Sequence, residues 1–285
     1  MPAGPELPDW ADPRDLDPAV RSALRGLDPR NADKVAGHLV AAGTLVDEDP
    51  EAALAHARAA RDRASRVAAV REAVGVAAYH AGDYAEAARE IRAYRRMSGD
   101  HGYRAVLADC ERALGRPEVA LRLVAEALSE KPDADETAEL RIVEAGARMD
   151  LGENAAARLV LESALGRLDP STLSSSDPAR LRIASAYADL LTSQDELAPA
   201  EEWLIAIAAA DPDDAVGAVD RLGIEFTELQ VEDDDTDDHA EDASEAPERV
   251  ERLPEDDHGL GRSFDEEVEA EVAELLGETE APPEE

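Results

Sequence analysis

A small residue that recurs along the chain at the length of a helical hairpin most constrains how this sequence folds. Five alanines mark the period, spaced by 34, 33, 37 and 43 residues: Ala53, Ala87, Ala120, Ala157 and Ala200. Twelve positions before each alanine stands a second small residue: Ala41, Gly75, Ala108, Ala145 and Ala188. Four positions after each alanine stands an apolar residue: Ala57, Ile91, Val124, Leu161 and Leu204. Because small residues let helix axes approach where they cross, the pattern predicts two closely packed helices per unit.

Glycine and proline punctuate these units. The dipeptides Gly82-Asp83, Gly115-Arg116 and Gly152-Glu153 stand between the two helices of three units, where glycine suits a helix end. Prolines, which cannot continue a helix, close three units at Pro132, Pro170 and Pro212. We therefore predict an all-α fold of about five helical hairpins, at about 34–67, 68–100, 101–134, 138–171 and 181–214.

Short helices are expected at both ends of this array. Asp17-Pro18 combines an N-cap with proline at the first helical position, and Val20, Leu24 and Leu27 follow on one face. At the other end, Val216–Gly223 fits a short last helix. The whole helical domain is expected over 16–226, with residues 1–15 disordered.

Several units carry the skeleton of a known repeat. The clearest reads Val74-Gly75, then Gly82-Asp83-Tyr84, then Ala87 and Ile91, and it resembles the tetratricopeptide repeat. The segment 30–125 also resembles uncharacterised actinobacterial proteins of that family, through DEDPEAALAHARAARDRASRVAAVREAVGVAAYHAGDY. The resemblance implies a superhelical solenoid with a protein-binding concave groove, and it implies no settled biochemical role. Arginine departs from the family pattern where tryptophan is common, at Arg71, Arg104 and Arg141.

Charge is concentrated at the C-terminal end. The net charge is −38, and residues 228–285 hold 25 of the 67 acidic residues with only 3 arginines. Such composition predicts a disordered acidic tail over 227–285. Within it, 264–276 has helical periodicity, with apolar residues at Phe264, Val268, Val272, Leu275 and Leu276. Two interpretations stay open: a transient helix without a role, or a segment that folds on contact with a groove.

The sequence offers no pattern for catalysis, a metal or a cofactor. The histidines of the folded part, at 38, 56, 80 and 101, lack metal-ligand spacing, and Cys110 is expected to be a small buried residue. The glycines stand one per turn rather than in a phosphate-binding loop. We therefore expect a protein that is not an enzyme. Because the start of the chain lacks a signal-peptide pattern and no apolar run is long enough to span a bilayer, we expect it in the cytoplasm, without membrane contact.

Positions on the first helices of the units are expected to line the groove that the resemblance implies. These candidate protein-binding residues are His38, Glu72, Val76, Tyr79, His80, Asp109, Arg112, Ile142, Met149 and Asp189. The lysines and asparagines with which one subclass holds C-terminal carboxylates are missing there, so that ligand is disfavoured. We expect an adaptor or scaffold that takes a peptide or an amphipathic helix of an unidentified protein.

A candidate basic patch suggests an alternative. Residues 51–122 hold 13 arginines against 10 acidic residues, and Arg89, Arg92 and Arg96 follow helical spacing. Three interpretations of the patch stay open. It is a solvated arginine–glutamate face, it binds an anionic partner, or it binds the acidic tail of the same chain, which would then shield the repeats. The alternative function is therefore a nucleic-acid- or ribosome-associated protein that uses the arginine-rich repeats 1–3. Nucleic acid is disfavoured because a chain of charge −38 with 3% aromatic residues repels phosphate and offers few stacking platforms.

Overall fold

A computed structural model describes residues 4–223, and within them the chain is helical and contains no β-strand. The α-helices are α1 (Pro18–Ala23), α2 (Pro29–Leu45), α3 (Pro50–Ala64), α4 (Ala68–His80), α5 (Tyr84–Ser98), α6 (Arg104–Ala113), α7 (Pro117–Ser129), α8 (Ala134–Asp150), α9 (Asn154–Leu165), α10 (Pro178–Ser193), α11 (Leu197–Ala210) and α12 (Ala218–Arg221). Short 3-10 turns lie at Pro13–Asp15 and Pro170–Thr172. The all-helical prediction is confirmed for this part of the chain.

An Asp-Pro dipeptide begins four of the helices. It occurs at Asp17, Asp28, Asp49 and Asp177, and in each case the aspartate side chain accepts a hydrogen bond from a backbone N–H of the first turn. The following proline occupies the first helical position, where no hydrogen-bond donor is needed. The sequence thus encodes where α1, α2, α3 and α10 begin.

One turn geometry joins the helices of four hairpins. Gly82, Gly115, Gly152 and Asp195 all adopt a left-handed backbone, with φ between 60° and 76°. The next residue in each case donates its N–H to the carbonyl five positions back, as Asp83 does to Ala78 at 2.8 Å. These bonds satisfy carbonyls left open at the helix end. The first hairpin, α2–α3, lacks a left-handed residue in its turn.

Consecutive helices pack on one another from α2 to α12. Within hairpins the pairs are α2–α3, α4–α5, α6–α7, α8–α9 and α10–α11, and neighbouring hairpins meet through α3–α4, α5–α6, α7–α8 and α9–α10. Some first helices also contact one another directly, namely α2 with α4, α6 with α8, and α8 with α10. The first helices of the hairpins therefore lie beside one another in these pairs.

The periodic small residues lie where helices cross. All five marker alanines are buried, and so are the five apolar residues that follow them. A Cβ atom added at Gly75 would lie 2.6 Å from Cγ1 of Ile91, so α4 and α5 approach too closely there for any side chain. Close crossing, rather than large side chains, thus builds much of this core.

The N-terminal segment differs from its prediction. Residues 4–15, expected to be disordered, run along the first hairpin: Ala11 is buried, and Leu7 lies within van der Waals distance of the position a Cβ would occupy on Gly37. The absence of a side chain at Gly37 leaves room for Leu7, which explains the contact. The predicted tail 227–285 and its helix 264–276 lie outside the described residues.

Candidate protein-binding face

Polar side chains connect α4, α6 and α8 across the predicted groove positions. The Tyr79 hydroxyl donates to Oδ2 of Asp109 at 2.8 Å, and Nε of Arg112 donates to Oδ1 of Asp109 at 2.7 Å. Arg112 also pairs with Asp150 at 3.2 Å. Burial and the nearby Asp109 carboxylate raise the pKa of Tyr79, so its hydroxyl stays a donor. The structure therefore brings together three of the predicted site residues, Tyr79, Asp109 and Arg112.

The N-terminal end of this face carries a second polar contact. Tyr103 donates its hydroxyl to Oε1 of Glu72 at 2.7 Å, which ties the start of α6 to α4. Burial and hydrogen bonding to Glu72 raise the pKa of Tyr103. At the far end of α4, Nδ1 of His80 lies 3.5 Å from Oδ1 of Asp47. Glu72, in the first half of α4, thus contacts a tyrosine hydroxyl, and His80, at the end of α4, lies beside an aspartate.

An apolar cleft opens between α1, α2 and α4. Its volume is about 240 Å³, and Glu72 is its sole charged lining residue among the described residues. The other lining residues are small or aliphatic: Leu16, Val20, Leu39, Ala42, Gly43, Val46, Ala69, Ala73, Val76 and Ala77. Two predicted groove residues, Glu72 and Val76, therefore line a real concave surface.

Two arginines of the first helices, Arg104 and Arg182, each pair with two carboxylates. Arg104 pairs with both Glu130 and Glu136 at the joint of α6 with α8. Arg182 likewise pairs with both Asp135 and Glu139, joining α10 to α8. Each guanidinium neutralises only one of its two carboxylates. Each of these two groups of paired side chains therefore holds one more carboxylate than guanidinium.

The remaining groove candidates take different places. Ile142 and Met149 are partly buried against the core of the last two hairpins. Asp189 pairs with Arg221, and Arg221 also donates to the Ser185 hydroxyl at 2.7 Å. Burial raises the pKa of Asp189, although Arg221 opposes this. These three residues are therefore not part of the cleft at α4.

His38 departs from its predicted place on the open groove. It is buried, and its Nδ1 lies 3.0 Å from Nδ1 of His56, with one ring as donor and the other as acceptor. Burial, with smaller contributions from His56 and Arg63, lowers the pKa of His38 to about 4. Burial also lowers the pKa of His56. His38 therefore joins α2 to α3 and does not line an accessible surface.

Ion pairs involve two of the three candidate basic-patch arginines. Arg89 pairs with Glu86 and Glu90, and Arg92 pairs with Glu111. Arg96 is exposed and forms no ion pair with the described residues. Most of the positive charge predicted for this patch is thus matched by carboxylates of the same protein.

A buried carboxylate pair on α5 lies beneath these arginines. Glu86 and Glu90 are both buried, 6% and 2% exposed. Arg61 of α3 reaches both carboxylates, at 2.5 and 3.1 Å, and Arg71 of α4 reaches Glu90 at 2.6 Å. Burial alone would raise the pKa of Glu86, but hydrogen bonds from Arg58 and Arg61 outweigh it and lower that pKa. This network was missed from the sequence because acidic residues are common throughout the chain.

Other chemistry has little support in residues 4–223. No three His, Cys, Asp or Glu side chains of this range converge as a metal site would require. Burial raises the pKa of the free Cys110 thiol to about 12, so the reactive thiolate is suppressed. None of the helices in the range is long and apolar enough to cross a bilayer.

Comparison with known proteins gives no match. No family model, no curated protein and no solved structure matches this chain.

Proposed function

We propose that this chain is a tetratricopeptide-like solenoid of about five repeats that acts as a cytoplasmic adaptor and has no enzymatic activity. The resemblance of 68–100 to that repeat supports the proposal, together with the repeated left-handed turn in four hairpins. Direct contacts of α6 with α8 and of α8 with α10 agree with the stacking of first helices in such arrays.

The apolar cleft between α1, α2 and α4 carries the functional part of the proposal. Concave apolar surface beside fixed polar groups is typical of binding sites. Val76 and Ala73 supply apolar contact area, while Glu72 supplies a hydrogen-bonding carboxylate in the cleft. A peptide or helix of another protein would find both there.

Affinity capture with the full chain tests this function. Tagged wild-type protein is crosslinked in lysate with and without nuclease, beside the variant Val76→Gln and the control Ile205→Gln on α11. We expect nuclease-resistant protein partners that Val76→Gln loses and Ile205→Gln keeps, because Ile205 is exposed on a helix remote in sequence from the cleft.

Two results would contradict the proposal. Partners that disappear with nuclease would favour the nucleic-acid alternative, although two of its three patch arginines are already paired. If the Val76→Gln variant retained every partner, binding would not depend on the cleft. Thermal melting followed by circular dichroism checks that both variants remain folded.

A further inference from the structure

We infer that the cleft between α1, α2 and α4 binds a cationic amphipathic helix of a partner protein. This inference rests on the proposed adaptor function and names the class of its ligand. The occupant would place apolar side chains in the cleft and Lys or Arg side chains against the carboxylates at its border.

The chain's own α1 shows that this face accepts a helix. Leu16 precedes the N-cap Asp17, Val20 lies in the first turn of α1, and Leu24 is the C-cap residue of this short helix. Leu24 is fully buried, and Leu16 and Val20 pack partly buried against the same core, which includes Leu39 and Val70. Leu16 and Val20 also form one wall of the cleft. The short helix α1, with Val20 on this face and Leu16 just before its N-cap, thus already packs beside the cleft.

The shape of the cleft suits a second helix of the same kind. Its floor is made of the small residues Ala42, Ala69, Ala73 and Ala77. Small residues let a helix approach the backbone closely, as they do at helix crossings in general. The cleft volume of about 240 Å³ holds the ends of a few aliphatic side chains rather than a whole domain.

Charge favours a cationic occupant. Glu72 lines the cleft, Asp47 follows the lining residue Val46, and no basic residue of the described part of the chain lines it. Asp47 is largely exposed, with 83% of its side chain accessible. Negative potential disfavours an acidic helix here, including segment 264–276 of the same chain, whose polar positions are acidic.

Matched synthetic peptides test the ligand class by fluorescence anisotropy with the full chain. The probe is a helical peptide with Leu at i, i+4 and i+8 and Lys at the flanking positions. A second peptide has the same composition in shuffled order, since the 25 acidic residues of 228–285 attract any cationic peptide. A third carries Glu in place of Lys. We expect the ordered cationic peptide to bind most tightly. Its advantage in affinity over the acidic peptide should shrink with added salt, because salt screens the charges.

Paired protein variants locate the site. We expect Val76→Gln and Glu72→Gln each to weaken the ordered cationic peptide about five- to tenfold, since each removes one apolar or charged contact. The controls Ile205→Gln and Glu202→Gln on α11 should leave binding unchanged. Glu72→Gln keeps an oxygen for the Tyr103 hydroxyl, so its effect reports charge rather than a lost structural bond.

Three outcomes would overturn the inference. One is equal binding of the ordered and shuffled peptides, another is equal binding of the acidic peptide, and the third is a dimer in sedimentation that Val76→Gln converts to monomer. In each case the proposed adaptor function still stands if lysate partners depend on Val76. Loss of that dependence would instead remove the adaptor function itself.

Discussion

Two buried histidines fix the joint between α2 and α3 through one hydrogen bond. His38 and His56 are 4% and 5% exposed, and their Nδ1 atoms are 3.0 Å apart. A proton on both nitrogens would place two donors face to face, and burial disfavours charge on either ring. The pair is therefore stable in its neutral form and sensitive to acid.

Acid should destabilise the protein through this pair. The folded-state pKa of both histidines is lowered, to about 4 for His38, so the unfolded state binds more protons below the ordinary pKa of 6.5. Stability should be fully present above pH 6.5 and fall by about 1–2 kcal/mol between pH 7 and pH 5. Urea unfolding at several pH values measures this. The double variant His38→Leu, His56→Leu should flatten the slope, whereas the exposed-site control His101→Gln should keep it.

The crossing of α4 and α5 requires glycine at position 75. Gly75→Ala should destabilise the protein by about 1–3 kcal/mol, because the new methyl group would overlap Ile91. Gly43→Ala on α2 is the matched control, since a Cβ there meets nothing within 4 Å. We expect that control to be neutral or to stabilise the helix by about 0.5–1 kcal/mol. Equal unfolding midpoints for the two variants would contradict the close crossing.

Helices α3, α4 and α5 are joined by a network of charges around two buried carboxylates. Arg58 and Arg61 come from α3, Arg71 comes from α4, and all point to Glu86 or Glu90 on α5. The arginines take part of their positive charge out of solvent to reach these groups. Removing one carboxylate therefore leaves buried positive charge without its partner.

Glu90→Gln should cost about 2–4 kcal/mol of unfolding free energy, since Arg71 would lose its charged acceptor and Arg61 would lose one of its two. The control is Glu126→Gln on α7, whose side chain is exposed and forms no ion pair with the described residues. Chemical denaturation compares the two variants with wild type. If Glu90→Gln lowered the free energy of unfolding no more than Glu126→Gln does, solvent would already screen the charges of this network.

Stability of the whole helical array should depend on each hairpin crossing. In a stacked array each repeat packs on its neighbours, so local damage should spread along the chain. Ala120 is fully buried where α7 meets its neighbours. It therefore tests the array as a whole.

Ala120→Arg should lower the free energy of unfolding by more than about 3 kcal/mol, because it combines overpacking with a buried charge. Hydrogen exchange should then rise in α6 and α8 as well as in α7. Ala125→Arg, at an exposed position of the same helix, is the control. If Ala120→Arg has the same melting temperature as wild type, the assigned period is wrong.

Sequence patterns alone predicted the periodic apolar core positions and the glycine turns of three hairpins, whereas the burial of Glu86 and Glu90 was not predicted. The periodic alanines and the apolar residues four positions after them are buried on one helix face, which the spacing of nearby residues specifies. The Asp-Pro caps and the left-handed turns likewise depend on residues close together in sequence. Contacts between distant residues needed the tertiary structure. The pairing of His38 with His56, of Arg61 with Glu86 and of Tyr79 with Asp109 spans 18 to 30 positions, and no spacing rule selects those partners among many similar residues. Likewise, the placement of α1 beside α2 and α4 forms an apolar cleft with the Glu72 carboxylate in its lining, which the sequence did not predict.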